Sequence, residues 1–321
     1  MRVRMFDIFI RNCSNALFLK EIYYMNRKVK PLIVLSFLAP GLILFTYFGI
    51  IPLFRSFYYS LTDWNGFTAD KVFIGLENYK NLLSDPSFKL ACGNTLFYSI
   101  LGGIVVFSLA IWFSYLMTKK GFKGQDFFSN FYYFPNMISP AALAVLWVFF
   151  YNPNFGILNV ILEKLGLSNL IIAWLGTRES AMTCITLASC ISNVGFYLIL
   201  ILSGINRIPP DYLEAAALDG AGSVTSFFKI TLPLLHDVLV ISVSLWIINS
   251  VKYFELIWAM FKGLTQYTQT MATYMYSISF GVQVPVFKLG YGSAIAVVMF
   301  LIVFVGVGLF RKIFSQNDLQ Y

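Results

Sequence analysis

The sequence predicts an all-α, polytopic integral membrane protein with about six transmembrane helices. Its composition is the first reason, because 58% of the 321 residues are hydrophobic and 12% are charged, whereas soluble domains average about 25% charged residues. The second reason is a set of runs without any charged residue, each longer than the ~20 residues with which a helix crosses a bilayer. These runs are residues 31–54, 90–118, 127–162, 180–206 and 289–310.

A sixth span is predicted between His236 and Ala259, although Lys252 and Glu255 fall inside it. Residues 263–287 are also free of charge, but they are rich in Thr, Gln, Ser and Gly, which insert into a bilayer less favourably than aliphatic residues. We therefore interpret residues 263–287 as an outer loop with a partial helix, and a seventh span is the alternative.

The distribution of Lys and Arg predicts the orientation, since these residues accumulate on the cytoplasmic side of membrane proteins. Residues 1–30 carry seven of the 23 Lys and Arg, and both termini are therefore predicted to be cytoplasmic. The predicted organisation is an N-terminal segment at 1–30, a transmembrane domain at 31–312 and a tail at 313–321. The net charge of +8 then reflects topology rather than nucleic-acid binding.

Residues 1–24 do not resemble a secretory signal peptide, because they lack a continuous apolar core and a small-residue cleavage site. We expect them to form an interfacial amphipathic helix. The alternative is an extension upstream of a start at Met25.

The chain lacks the residues that most membrane-bound chemistry would require. It has no GxxxxGK[ST] phosphate cradle, so any ATP hydrolysis that drives it must occur on another polypeptide. Its four cysteines show no metal-ligand spacing, and a single histidine cannot supply a Ser-His-Asp or metal constellation. The sequence therefore predicts neither an enzyme nor a metal protein.

One polar loop stands out between two predicted spans, in residues 209–235, which we call the Glu214 loop. Its core reads EAAALDGAGSVTSFFKITLP from Glu214 to Pro233. The alanines favour a helix and leave little side-chain bulk, and Gly220 and Gly222 can end that helix and turn the chain. The pattern predicts a short helix, a glycine bend and a second short helix.

The spacing of this loop resembles the EAA loop of ABC importer permeases, which belong to binding-protein-dependent uptake systems. The matching residues are Glu214, Ala215 and Ala216, then Gly220 after three residues, and Ile230, Leu232 and Pro233 after nine more. The longer segment IPPDYLEAAALDGAG resembles the corresponding segment of the carbohydrate-uptake, maltose-transporter-like branch of these permeases. Further similar segments are SLTDW at 60–64, GLENYKNLL at 75–83, NT at 94–95, FPNMISPAALAVLWVFFYNPNFGILN at 134–159 and GYGSA at 290–294.

The resemblance implies a type I ABC importer permease in the bacterial inner (plasma) membrane, which imports a sugar or oligosaccharide by alternating access. It implies a second homologous permease, two ATPase subunits and an extracytoplasmic solute-binding protein as partners, besides membrane lipid. It also implies no cofactor on this chain, with ATP and Mg on the partner ATPase. The residues that it assigns to ATPase coupling are Glu214, Ala215, Ala216, Asp219, Gly220, Ile230, Leu232 and Pro233.

The chain departs from the family pattern in one segment. Such permeases often carry a TGGGP-like stretch after the fifth span, whereas residues 261–270 here read FKGLTQYTQT. This difference puts in doubt any transfer of residue roles to that outer loop.

Polar side chains inside predicted spans are costly and often functional. Trp246, Asn249, Ser250 and Tyr253 recur at helical spacing and predict one face of the fifth predicted span, with aromatic surface for sugar rings and polar groups for hydroxyls. Asn193 and Tyr197 share a face of the preceding span. We predict a sugar pocket between these two faces. The alternative is interhelical hydrogen bonding and packing.

Two charged residues accompany this face. Lys252 and Glu255 are three residues apart and can pair along a helix. The resemblance suggests a structural or gating role for Glu255. Lys252 can snorkel outward or bind an acidic sugar such as a uronate, which places it among the candidate substrate-binding residues.

Other readings remain open from the sequence. The first is an ABC permease for a non-sugar solute such as glycerol phosphate or a polyol. An ATPase-independent secondary carrier and a membrane enzyme are the alternatives from other classes. The residues do not identify the sugar or its charge.

Overall fold

The computed structural model describes residues 31–68, 70–119, 122–282, 284 and 286–314. The helix predicted at 1–24 lies outside these residues, as does most of the predicted tail. The described α-helices are α1 (Pro31–Phe45), α2 (Ile51–Tyr59), α3 (Glu77–Ser84), α4 (Pro86–Thr118), α5 (Gln125–Met137), α6 (Pro140–Phe150), α7 (Ile157–Lys164), α8 (Arg178–Ile205), α9 (Pro210–Leu218), α10 (Ser223–Ser226), α11 (Leu232–Leu234), α12 (His236–Val251), α13 (Glu255–Phe261), α14 (Met271–Phe280) and α15 (Leu289–Phe314).

The prediction of about six membrane spans is confirmed. Helices long and apolar enough to cross a membrane are Val34–Tyr59, Pro86–Thr118, Glu179–Ile205, His236–Phe261 and Leu289–Phe314. Helices α5 and α6 together pass the same test but are bent by 94° at a short break, which makes them one broken span or a re-entrant segment. Residues 263–287 contain a ten-residue helix, α14, which is too short for a span.

Among the described residues, those up to Ser56 form one compact unit and those from Phe57 onward form a second. The core described below belongs to the second. Helix α8 packs along both α4 and α5. A Cβ on Gly195 of α8 would overlap the Tyr132 carbonyl of α5, so the absence of a side chain there allows the close approach of the two helices. Small residues commonly permit such contacts inside membranes, where apolar burial drives association weakly.

The SLTDW and GLENYKNLL segments meet in the structure. Asn78 is buried, and its side-chain Nδ2 donates to the carbonyls of Ser60 at 2.9 Å and Thr62 at 3.0 Å. The Tyr79 hydroxyl donates to the Ser60 hydroxyl at 2.7 Å. These motifs therefore fold the loop after α2, because a buried amide stabilises a structure only when its hydrogen bonds are satisfied.

The GYGSA segment supplies the matching surface on α15. A Cβ on Gly290 would overlap the Thr62 carbonyl oxygen, and the Gly290 N–H donates to the Trp64 carbonyl at 2.8 Å. Glycine at this position lets the loop after α2 lie directly against the start of the last span.

Asp85 joins three elements at the same end of the bundle. Its carboxylate caps α4 by accepting from the Ser87 N–H at 2.9 Å, and it accepts from the hydroxyls of Tyr274 on α14 and Tyr291 on α15. Burial by itself would raise the pKa of this carboxyl, but these hydrogen bonds together hold the pKa below its usual value.

The Glu214 loop lies at the opposite end of the bundle from Asp85. A cavity of about 260 Å³ separates the loop from the ends of two spans, and its lining includes Lys119 after α4 and Ile205 of α8. Since α4 begins beside Asp85 and ends beside this cavity, the two loop regions occupy the two sides of the predicted membrane.

Candidate functional site

A cavity of about 580 Å³ lies where two predicted spans are interrupted. It is lined by apolar, aromatic, amide and charged residues, a mixture typical of small-molecule sites. The lining residues are Pro135, Asn136, Ile138, Pro140, Leu143, Ser192, Asn193, Asn249, Lys252, Tyr253, Phe254, Glu255 and Leu256.

The first interruption separates α5 from α6. Helix α5 contains Pro135 near its end, and α6 begins with Pro140 at its first position, where the missing N–H costs nothing. The Ser139 hydroxyl caps α6 by accepting from the Ala142 N–H at 3.3 Å. This break brings Asn136 to the cavity. In the sequence, the two prolines within an apolar run are the signal that predicts the break.

The second interruption divides the predicted span at 236–259 into α12 and α13. Lys252 caps the end of α12, and Glu255 begins α13. A cation at a helix C-terminus and an anion at an N-terminus both interact favourably with the helix dipoles. The break is thus compatible with the charges that the sequence places inside this span.

The expected pairing of Lys252 with Glu255 is not present. Among the residues that the structure describes, the one ion pair joins His236 and Asp237, at 3.3 Å. The spacing of three residues brings side chains together on a continuous helix, but the helix is interrupted between these two. Both side chains are instead exposed at the cavity.

The cavity wall includes an aromatic pair. Tyr253 stacks on Tyr98, with ring centroids 4.4 Å apart and planes 13° from parallel. The Tyr98 hydroxyl is hydrogen-bonded to the Ser189 hydroxyl at 2.7 Å, and Asn193 donates to the Ser189 carbonyl at 2.9 Å. One network therefore positions two of the predicted pocket residues, Asn193 and Tyr253.

Three other predicted pocket residues do not line the cavity. Trp246 is 4% exposed, and Ser250 and Tyr197 are each 1% exposed. The Trp246 indole N–H donates to the Ser99 carbonyl at 2.8 Å, and the Ser99 hydroxyl donates to the Ser250 hydroxyl at 2.8 Å. The prediction that they line the cavity is corrected. Helix α12 ends at Val251, so the face with Trp246 and Ser250 does not continue to Tyr253, and Tyr197 of α8 packs edge to face on Trp246 at 5.8 Å.

The Glu214 loop folds as predicted into a short helix, a bend and a second helical segment. Helix α9 ends before Gly220, whose φ of +81° is a left-handed conformation that favours glycine. The Ala221 N–H then donates to the Ala216 carbonyl at 2.9 Å and closes the helix end. After α10, a π-helical turn over Phe227–Thr231 leads into α11.

The two halves of this loop differ in burial. In α9, which is described throughout, Ala216 is the buried residue, whereas Leu218 is 90% exposed. In the second half Phe227 is 4% exposed and meets Tyr115 of α4 edge to face at 5.2 Å. The first helix thus projects outward while the second half is anchored on a span.

The predicted coupling residues differ in exposure. Those exposed on the loop surface are Glu214, Ala215, Asp219, Gly220 and Pro233, and those half-buried are Ile230 and Leu232. Ala216 faces the permease body instead. Sequence reasoning did not single out Leu218, which has the highest exposure of the large hydrophobic residues that the structure describes.

Interrupted spans around a mixed polar cavity, with a short helix projecting at one end, define the architecture of a membrane permease. Residues 96–316 match the family of binding-protein-dependent transport system inner membrane components, and the chain belongs to this family. The resemblance inferred from the Glu214 loop is thereby confirmed.

Relatives cover most of the chain. The probable ABC transporter permease protein YurN of Bacillus subtilis is 34% identical over 268 residues, which are 83% of this chain and 90% of that protein. The trehalose/maltose transport system permease protein MalF of Thermococcus litoralis is 30% identical over 302 residues, 91% of this chain and 97% of that protein.

A solved structure shares the fold. It is a bacterial ABC transporter involved in the import of the acidic polysaccharide alginate, and one of its chains aligns with a TM-score of 0.74. The alignment covers 88% of this chain and 96% of that chain, at 24% sequence identity.

Proposed function

We propose that this chain is the permease subunit of an ATP-driven, binding-protein-dependent importer of a sugar or oligosaccharide in the bacterial inner membrane. The observation that carries the proposal is the 580 Å³ cavity at the two span interruptions. Transporter sites commonly form where membrane helices are discontinuous, because the interrupted backbone is tolerated only where it lines a cavity or is buried.

The lining fits a sugar. Tyr253 offers an aromatic ring for the C–H surface of a pyranose, and the amides of Asn193 and Asn249 can exchange hydrogen bonds with hydroxyls. The relative from Thermococcus litoralis, named for trehalose and maltose, supports this solute class.

The Glu214 loop is proposed to couple this cavity to a separate ATPase. Helix α9 would insert into a groove of a cytoplasmic ATPase, with Leu218 in an apolar contact and Glu214 near a basic residue. Closure of two ATPase subunits on ATP and Mg would move α9, and the contact of Phe227 with Tyr115 would pass the motion to α4. A second permease and an extracytoplasmic binding protein complete the proposed complex.

The test is sugar-stimulated ATPase activity and uptake by the reconstituted complex. This chain would be co-expressed with the permease, ATPase and binding protein encoded beside it, and neutral oligosaccharides would be compared with uronate oligosaccharides. Stimulation by a sugar together with ATP-dependent uptake is the expected result. Uptake that proceeds without any ATPase would contradict the proposal and favour a secondary carrier.

An acidic sugar is a second candidate solute, favoured by the exposed Lys252 at the cavity, which forms no ion pair with any described residue. Lys252→Gln, with Lys252→Arg as the charge-retaining control, would separate the two candidates. Selective loss of uronate uptake in the Gln variant supports the acidic solute. Equal uptake of all sugars by both variants would leave Lys252 as the residue that ends α12, with no part in solute recognition. A response to glycerol phosphate or a polyol alone would replace the sugar as the proposed solute.

A further inference from the structure

The outer loop between α13 and α14 contacts the backbone of the cavity. Thr270 is completely buried, and its side-chain hydroxyl donates to the Tyr253 carbonyl at 3.0 Å. Because Tyr253 lies between α12 and α13, its carbonyl belongs to neither helix and needs a partner from elsewhere. Thr270 supplies that partner at the residue whose ring lines the cavity.

Thr270 is itself held in place by α4. The Asn94 side-chain Nδ2 donates to the carbonyls of Tyr267 at 2.9 Å and Gln269 at 2.8 Å. The Thr95 hydroxyl accepts from the Met271 N–H at 2.9 Å. These bonds fix the backbone on both sides of Thr270, and they explain structurally the NT pair that the sequence displays at 94–95.

The same hydroxyl also caps α14. The Thr270 and Thr273 side chains form a reciprocal capping box, in which the Thr270 N–H donates to the Thr273 hydroxyl at 2.8 Å. Thr270 therefore has two contacts that can be separated experimentally. Loss of the Thr273 hydroxyl removes the bond that it accepts from the Thr270 N–H and leaves the bond from the Thr270 hydroxyl to the Tyr253 carbonyl in place.

We propose that Thr270, supported by Asn94 and Thr95, is a positioning residue for Tyr253 and so tunes which sugars the cavity passes. This inference rests on the proposed sugar-import function. It assigns a role to the segment 261–270, in which the chain departs from the family pattern. Through this segment, the outer loop and the cavity form one hydrogen-bonded unit.

The first test compares Thr270→Val, Thr270→Ser and Thr273→Val in the reconstituted full complex. The readout is the ratio of maximal uptake rates for two sugars of different size, each presented with saturating binding protein. A general loss of assembly lowers both rates and leaves their ratio unchanged. We expect Thr270→Val to shift the ratio by about fivefold, as for the loss of one hydrogen bond, and Thr270→Ser to restore it.

Thr273→Val is the matched control and should leave the ratio as in the wild type. An unchanged ratio in Thr270→Val would overturn the proposal. An equal shift in Thr270→Val and Thr273→Val would also overturn it, because helix capping alone would then account for the effect.

A second measurement does not depend on sugar transport. Hydroxyl-radical footprinting of the purified complexes reports the accessibility of Tyr253, which should rise in Thr270→Val and not in Thr273→Val. If the wild type responds to no sugar while this difference is found, the positioning role stands and the proposed solute class fails. If the wild type imports sugar and Tyr253 labelling is identical in both variants, the positioning role fails and the importer stands.

Discussion

The two ends of the membrane bundle use polar residues in opposite ways. At the Asp85 end, the side chains of Asn78, Asn94 and Thr270 turn inward and hold the carbonyls of other segments. In the Glu214 loop, the polar residues of α9 are exposed, and Ala216 is its buried residue. A satisfied buried network specifies one backbone arrangement, whereas an exposed helix gains partners from another surface. We call the Asp85 end the completed end, because these carbonyls find their hydrogen-bond partners within the chain. The Glu214 loop is the end that we propose meets the ATPase.

The largest expected effect comes from disturbing the completed end. Gly290→Ala should destabilise the chain by about 3 kcal/mol, because the new methyl group overlaps the Thr62 carbonyl and the backbone must shift. The measurement is thermal unfolding in detergent. Gly308→Ala on the same helix is the control, since in the described part of the chain its Cβ meets no atom within 4 Å. Equal stability of the two variants would contradict the tight contact.

A glycine change in the Glu214 loop should act differently. The Cβ added by Gly220→Ala meets no described atom within 4 Å. The left-handed φ at this position should nevertheless lower the stability of an alanine variant by about 1 kcal/mol. We expect inserted spans of nearly normal stability and a marked loss of sugar-stimulated ATPase activity. Gly222→Ala, with an ordinary φ of −70°, should retain activity. Loss of activity in both variants would argue against a specific requirement for the bend.

The Asp85 cluster predicts a pH dependence at the completed end. Since the folded pKa of Asp85 lies below its usual value, its contribution is present above the unfolded pKa of about 3.9 and is lost as pH falls through the folded pKa. Asp85→Asn should be less stable than the wild type at neutral pH, and this loss of stability should be smaller than that of Gly290→Ala. The difference in stability between Asp85→Asn and the wild type should narrow below about pH 4. Thermal unfolding from pH 7 to 3 measures this, with the exposed Asp70→Asn as control. A difference that is constant down to pH 3 would contradict it.

The smallest expected effect on stability is at the surface of α9 that we propose meets the ATPase. Leu218→Ala should change the free energy of unfolding of the chain by less than about 0.5 kcal/mol, because the side chain is 90% exposed. Its association with the ATPase should nevertheless weaken, which co-purification in detergent would detect. Unchanged association would move the proposed contact surface away from Leu218.

Several features of the fold were predictable because their causes are local. The apolar runs predict the spans, since each helix must satisfy its own backbone inside a bilayer. The Glu214 loop was predictable because alanines, a left-handed glycine and spacing along the chain determine a helix and a bend with little help from distant residues. The absence of a seventh span at residues 263–287 followed from their hydroxyl and amide content.

The residues that line the cavity were less predictable. The prediction assumed that one continuous helix runs from Trp246 to Tyr253, whereas α12 ends at Val251. Tyr253 was expected on one face with Trp246 and Ser250, yet the interruption at residues 252–254 separates it from them. Charges at Lys252 and Glu255 were read as a pair, whereas they stand at the facing ends of two helices. Pro135 and Pro140 indicate the other interruption in the sequence. They were not used to predict it, because the charge-free run around them was interpreted as one span.

The sequence by itself determined the membrane class, the approximate number of spans, the Glu214 loop and, through that loop, the family. Tertiary structure decided which polar residues line a cavity and which are buried beside it, because burial depends on the neighbours that other helices supply. It also brought Asn94 of α4 to the Tyr267 carbonyl, 173 positions away, and the Thr270 hydroxyl to the Tyr253 carbonyl. These contacts form only when α4, the loop before α14 and the broken span are packed together.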